Sequence, residues 1–397
     1  MMKIRTHISI LLALLVVSVI TSCSEELDLE SQSFIKIYDN QDGDVTYDPI
    51  DIIETTDGYL VLSATSLNNT DFAGIQILSL TTTGDFQTEF TMPEELVLPT
   101  GDIFSANERF YFFGMNRTTL RVVLISTDAA FTDVQTTTLG SLAYPLSAAS
   151  TSGGNLLVQS YDIEDGLTVI SEVQTDGTVV NSSGYSIGVG QDVEQNILAH
   201  YLDPTVDLPF FCGELSGGTY YFNGFYNFSM SMVFTDFGAS PLGVVQGQAD
   251  DGGIRDAQVL TGSGFALVGY QFEENYLVPS TTLSTSSITS SIDLFTSEQA
   301  ELRTQTPGVI EQVDDTHVAM AVETESREVV IYFYNTTSAE HTGIETIGFL
   351  NPFTLGNMSM DAEGNLLIVG TTFVSGRFER VFFRKLQSTD LQGFIGS

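Results

Sequence analysis

Tryptophan is absent from this 397-residue chain, lysine occurs three times (Lys3, Lys36 and Lys385) and cysteine twice. Two cysteines cannot build a disulfide framework. Three of the four histidines, His200, His317 and His341, lie beyond the N-terminal leader, and none has a second His or Cys at metal-ligand spacing. There is no Gly-x-Ser-x-Gly elbow, His-Glu-x-x-His, phosphate loop or dinucleotide fingerprint, so the chemistries those motifs carry have no support. Basic residues are few: 13 Lys and Arg face 51 Asp and Glu, a formal net charge of −38. That excess argues against nucleic acid and anionic membrane surfaces as partners, and fits a protein kept soluble at high ionic strength or one with a cationic partner. Helical patterning is nearly absent after residue 23, and the one long apolar run lies before it.

What the chain does contain is a repeat. Its clearest copy is Asp361-Ala362-Glu363-Gly364-Asn365-Leu366-Leu367-Ile368-Val369-Gly370-Thr371-Thr372, a turn followed by an apolar run of strand length. Blurred copies surround Asp57-Gly58-Tyr59-Leu60, Glu108-Arg109-Phe110-Tyr111, Gly154-Asn155-Leu156-Leu157, Gly218-Thr219-Tyr220-Tyr221, Gly264-Phe265-Ala266-Leu267 and Asp315-Thr316-His317-Val318. Anchored on residues 59, 110, 155, 219, 265, 317 and 365, they recur at spacings of 51, 45, 64, 46, 52 and 48. A period near 50 is that of a propeller blade. The runs are too short for helices, and Gly, Asp or Asn precedes most of them, as a hairpin turn requires. Continuous apolarity means both strand faces are covered, as for inner strands packed between neighbouring blades. A second strand follows about 15 residues later in most copies, as in residues 75–80, 120–125, 329–334 and 381–386, and then a more polar third. The expected fold is an all-β, seven-bladed β-propeller occupying residues 33–397. One or two large β-sandwiches are the alternative, and the 64-residue gap is either a long insertion or an eighth unit.

Residues 1–22 read as a signal peptide: Lys3 and Arg5 form a basic region before an apolar stretch at 8–20, too short to be a stable span. The stretch ends Val19-Ile20-Thr21-Ser22-Cys23, which resembles a bacterial lipobox with Ile20 in place of the commoner Leu. The resemblance implies cleavage before Cys23 and its acylation, hence anchoring to the outer membrane through two or three acyl chains. With Cys23 acylated, Cys212 has no disulfide partner and reads as a buried, inert thiol. The acidic run Ser24-Glu25-Glu26-Leu27-Asp28-Leu29-Glu30 resembles the surface-export signal of Bacteroidetes lipoproteins, and residues 23–32 form a lipidated tether. The hairpins Asp57-Gly58-Tyr59 and Glu363-Gly364-Asn365 resemble those of repeat-built propeller lipoproteins of the same bacteria, although the outer-strand Trp of that family is missing. The resemblance implies a cell-surface location, with the periplasmic face as the alternative. Without Trp, the Asp-box of sialidases, the Trp-docking repeats of quinone-dependent dehydrogenases and the WD-repeat signature are excluded.

If Phe34–Tyr38 is an outer strand, it should complete the last blade beside residues 381–386 and so remove an exposed edge, with residues 392–395 competing for that place. Residues 279–291, nearly all Ser and Thr, suggest exposed strands and a loop. Asp250-Asp251-Gly252-Gly253-Ile254-Arg255-Asp256 is the densest charged stretch, compatible with calcium, an acid–base pair or turn chemistry. Asp314-Asp315 falls under the same choice, and residues 40–44 lack the alternation of a calcium-binding EF-hand. The aromatic run 220–228 suits blade packing or sugar stacking, and the pairs Met230/Met232 and Met358/Met360 suit packing. No residue earns a catalytic, metal or cofactor assignment. The expectation is therefore a non-enzymatic binding or scaffolding module for a protein or glycan, the alternative a glycan-active hydrolase or lyase with acids converging on the axis.

Overall fold

The computed structural model describes residues 32–38, 45–67, 72–188, 191–202, 206–248, 252–262, 264–272, 274–295, 302–303, 306–348, 350–373 and 379–396. Residues 1–22, read above as a signal peptide, and Cys23 and all of the expected tether but Gln32 lie outside the described residues, as do residues 40–44, Asp250 and Asp251. Residues Ser33–Ser397 form one compact unit, and it is a β-propeller. Among the described residues the strands sort into seven successive antiparallel units. The first two are joined into one larger sheet through a single bridge, Gly74 to Val97.

The first strands of the units are Val45–Thr55, Leu96–Ala106, Pro145–Ser150, Phe211–Ser216, Gly252–Val259, Gly308–Asp314 and Phe353–Met360. They stand around the axis. The second strands are Gly58–Leu67, Arg109–Asn116, Leu156–Asp162, Thr219–Tyr226, Phe265–Gln271, His317–Glu323 and Leu366–Thr372. These are the seven apolar runs of the repeat. Their continuous apolarity has the expected cause. All seven side chains of Leu366–Thr372 are buried, and alternate ones serve opposite neighbours. Leu366 and Ile368 pack with Ala319, Ile331 and Phe333 of the preceding unit. Leu367 and Val369 pack with Tyr47, Tyr59 and Val61 of the first unit. Each fully buried Leu, Ile or Val contributes about 1.5–3 kcal/mol, so the stack of units is itself the core. Outer strands such as His341–Ile347 are largely exposed, which explains their polarity.

Phe34–Tyr38 is the outer strand of the last unit, antiparallel to Arg380–Leu386 with Phe34 opposite Lys385 and Tyr38 opposite Val381. Residues 392–395, the competing candidate, belong instead to the helix Ser388–Ile395, which lays Leu391 and Ile395 on the last two units. The 64-residue gap holds an insertion, the helix Gln191–Leu202. It buries Val193, Ile197 and Tyr201 against Leu146, Tyr161 and Phe225. In the fifth unit, Glu274–Thr281 is the last strand, and Ile288–Ser290 crosses to pair in parallel with Gly243–Gln246 of the fourth. No helix among the described residues is long and apolar enough to cross a membrane.

The seam between the last and first units is the most polar. Asp361 caps its own turn, accepting from the N–H of Glu363 at 3.0 Å and of Asn365 at 2.8 Å, while Gly364 supplies the left-handed residue at φ +78°. Lys385, 3% exposed, donates to the Tyr59 hydroxyl at 2.7 Å and lies 3.6 Å from the Asp361 carboxylate. We expect Lys385→Ala to destabilise the protein by about 3–5 kcal/mol, because it strands a buried carboxylate. Lys36→Ala, which breaks the more exposed pair with Asp85, should cost less than about 1 kcal/mol. Urea unfolding at neutral pH checks both, and equal losses would remove the seam from its place in the argument.

Candidate functional site: the central channel and its loop-face mouth

The seven first strands enclose a channel with a cavity of about 590 Å³, to which every unit contributes. Two kinds of polar side chain stand on its wall and in the second strands behind it, and they have different work. The first kind ties neighbouring units together. Asp51 follows a bulge in its strand, which turns its carboxylate toward the next unit. One oxygen accepts from the N–H of Ile52 and from Asn357 of the last unit, at 2.7 and 2.9 Å. The other accepts from the N–H of Ile103 in the second unit at 2.7 Å. Asp256 repeats the device after its own bulge, accepting from Ala257 N–H at 2.8 Å and from Ile310 N–H of the sixth unit at 2.7 Å. Gln159 donates to the Asn223 carbonyl at 3.0 Å, Asn223 to the Ile254 carbonyl at 2.9 Å, and Glu323 accepts from Leu355 N–H at 2.9 Å. Among the described residues this accounts for six of the seven seams. At the remaining one, between the second and third units, the backbones approach so closely that a Cβ on Gly101 would sit 2.5 Å from the Ala148 nitrogen.

The second kind is unengaged. Asp102 and Glu311 project into the lumen and make no hydrogen bond with a described residue. Protein surrounds both, and poor solvation raises their proton affinity: Asp102 is pushed up to about 6. Burial, then the charges of Asp102 and Asp256, push Glu311 up to about 8. Asp256 is raised to about 7, also by burial, against the pull of its backbone donors, and Asp51 is raised in the same sense, by burial and then by Asp102. Among the described residues no Lys, Arg or His lines this cavity. The Cys212 thiol on its wall is 9% exposed and burial pushes it up to about 12, so it is the inert thiol expected.

At one end of the channel lie the turns between first and second strands. At the other, the loop face, lie the connections between second and third strands and between successive units. Charges of both signs gather at the loop-face mouth. Asp48 is raised to about 7 by burial, then by the charges of Asp207, Glu379 and Glu323. Glu323 pairs with Arg303 at 2.9 Å. The charge of Arg327 is felt by both Glu323 and Glu379. Arg255 occupies the bulge beside Asp256, its guanidinium 5.0 Å from the centre of the Tyr270 ring.

The structure disperses most of the other residues singled out in the sequence. Asp256 lies in a strand rather than a loop, and Asp250 and Asp251 lie outside the described residues. Asp314 holds its own turn through Thr316 N–H at 2.7 Å and a 3.0 Å pair with His317. His200 accepts from Leu208 N–H at 3.2 Å and His341 packs edge-on against Tyr332 and Tyr334. Tyr220, Tyr221, Phe222 and Phe225 are buried packing, whereas Phe228 is 47% exposed. Met230, Met232 and Met358 are buried, and Met360 lines the channel. Asp48, Asp51, Asp102, Arg255 and Glu311 were not distinguished in the sequence as a group. They come from four units, and the first strands that carry them bring them to one axis, with register shifts at Asp51, Asp102 and Arg255.

No protein-family model and no curated protein matches the chain. Among solved structures it is similar to the β-propeller domain of the Trilobed protease from Pyrococcus furiosus, with a TM-score of 0.49 and 11% identity over 92% of this chain and 98% of that one. An acylaminoacyl peptidase from Pyrococcus horikoshii gives a TM-score of 0.47 and 11% identity over 88% of this chain and 53% of that one. A protein of unknown function from Bacteroides caccae gives 0.34 and 14%, over 56% and 70%. Identities this low bring no activity from those proteins to this chain.

The lumen electrostatics have a measurable consequence. Glu311 carries a folded-state pKa raised from 4.5 to about 8. Its neutral form therefore favours folding below its unfolded value, and that contribution is lost as pH rises through the folded one. Glu311→Gln, which stays neutral, should gain stability relative to the parent between pH 4.5 and 8, by on the order of 1–3 kcal/mol once lumen solvent has screened part of the effect. Urea midpoints of the two proteins across that range test it. A difference that does not change with pH would mean that Glu311 ionises normally.

Proposed function

We propose that this is a lipid-anchored binding module that captures its ligand on the loop face. The observation that carries the reading is the placement of exposed apolar side chains. Ile163, Phe228 and Phe272 stand on second-to-third strand connections, and Leu202 and Leu350 on connections between units, at 39, 47, 60, 57 and 88% exposure. All five belong to one face, the one bearing the charged mouth, whereas the other exposed large apolar side chains among the described residues, such as Phe86, Val180 and Ile344, lie singly on outer strands, a third-to-fourth strand turn and the Ile288–Ser290 crossing. Phe228 and Phe272 are moreover held at φ 77° and 56°, a conformation unfavourable for a bulky residue and one that collects at functional sites. Solvent-facing aromatic and aliphatic groups around a polar centre are the composition of a recognition surface. The carboxylates of Asp51 and Asp256 accept backbone hydrogen bonds through both oxygens, which suits a structural role better than a catalytic one.

The anchoring half of the proposal rests on the sequence Val19-Ile20-Thr21-Ser22-Cys23 and the acidic run after it. Cys23 carries the lipid, residues 23–32 lead away from the outer membrane, and a seven-bladed propeller faces the cell exterior, as in the propeller lipoproteins of Bacteroidetes that the chain resembles. The second reading, a glycan-active hydrolase or lyase, is favoured by the unengaged carboxylates of Asp48 and Glu379 near Arg327 and Arg255. It makes that mouth an active site.

Cys23→Ser should move the protein from the membrane to the soluble fraction, and an inhibitor of lipoprotein signal peptidase should leave the leader attached. Unchanged fractionation and mobility would overturn the anchor. Against a panel of glycans and purified envelope proteins, Phe272→Ala combined with Leu350→Ala should lower ligand affinity at least about tenfold with an unchanged thermal midpoint. Saturable binding of intact ligand supports the module, whereas ligand turnover establishes the second reading.

A further inference from the structure

The loop-face mouth contains a cation without an acceptor. Five ion pairs engage Lys36, Arg109, Arg303, Arg384 and Lys385 with carboxylates. Arg255 has none, and donates no hydrogen bond to any described residue. Its Nε is sealed from solvent without a partner, while the residue as a whole stays partly exposed. The guanidinium lies over Tyr270, which fixes its plane. In so acidic a protein, Arg255 leaves its two terminal nitrogens as an open fork, a geometry that fits a carboxylate through two parallel hydrogen bonds. Burial lowers the proton affinity of Arg255, the nearby Tyr270 and Asp207 partly offset this without an ion pair, and Arg303 adds positive potential.

We infer that Arg255 and Tyr270 form a subsite for the carboxylate of a sugar acid. This rests on the loop face being the binding face and names the ligand that the face takes. The surroundings decide the class. Asp48, Asp207 and Glu379 are acceptors that repel a polyanion such as a phosphate ester but accept hydrogen bonds from ligand hydroxyls. Phe272, 60% exposed two residues beyond Tyr270, offers an aromatic face to a sugar ring. One carboxylate, several hydroxyls and a flat apolar face describe a uronate residue within an oligosaccharide.

Titration calorimetry on the full chain, with neutral oligosaccharides that end in a single galacturonate, glucuronate or guluronate as probes and their methyl esters as neutral controls, tests the inference. At least one acid should bind, and its ester, of similar shape but uncharged, should bind roughly ten- to a hundredfold more weakly. Arg255→Ala should remove the preference for acid over ester. Arg255→Lys should restore it only in part, since an ammonium cannot form the fork. Phe272→Ala should weaken acid and ester alike. Thermal midpoints establish that the variants are folded, and the ester comparison uses the unaltered protein. Equal affinity for acid and ester, an unaltered preference in Arg255→Ala, or no binding of any acid would overturn the subsite. If no acid binds but a purified envelope protein does, the binding module survives and the subsite falls. If an acid is bound and cleaved, the module falls, and an Arg255→Ala effect confined to KM for the acid retains the subsite.

Discussion

Everything in this propeller depends on closing a ring of units that cohere mainly by stacking. An apolar stack has no preferred number of members and no fixed register between neighbours, because packing energy is non-directional. Direction comes from hydrogen bonds whose loss would leave buried groups unpaired, at about 1–3 kcal/mol each. Asp51 illustrates the arrangement, since its carboxylate touches the backbone of its own unit, that of the second, and the Asn357 side chain of the last. Where such a bond is missing, Gly101 lets the backbones meet directly. Phe34–Tyr38 then completes the last unit with the first strand of the chain, so the edge that would otherwise stay open is paired.

The scarcity of cations makes their placement informative. Lys385, one of only three lysines, is buried at the closing seam against Asp361 and Tyr59. Arg303 satisfies Glu323, whose other oxygen holds Leu355 of the last unit. Both therefore serve the ring. Among the described residues the charged groups lining the lumen are carboxylates, and burial raises those of Asp51, Asp102, Asp256 and Glu311.

The loop face is governed by different constraints. Its connections are not needed for the stack, so they can vary in length, carry a helix at Gln191–Leu202, and present apolar groups to solvent. A rigid ring beneath loops free to differ is a common division between scaffold and site. Bulges link the two levels in the first and fifth units: the residue after the bulge, Asp51 or Asp256, locks a seam, and the bulged residue Arg255 is turned toward the mouth.

A good part of the architecture was legible before any coordinates. The seven apolar runs became the seven second strands because burial on both faces demands continuous apolarity, a local and therefore readable signal. The closing strand was legible for a related reason, as an outer strand without inner partners of its own. The helix Gln191–Leu202 was missed although Val193, Ile197 and Tyr201 recur at helical spacing, since a single short amphipathic stretch is faint among twenty-eight strands. The site was not legible. Nothing around Asp51, Asp102 or Glu311 distinguishes them from the other forty-eight acids of the chain, and Arg255 read only as part of a charged stretch. The sequence by itself determined which segments are buried on both sides and how often they recur, because those properties depend on neighbours in the chain. Only the tertiary structure decided which polar groups hold the seams, which share the lumen and that Arg255 stands at the mouth outside the ion pairs of the described residues, because these depend on neighbours fifty to three hundred residues away.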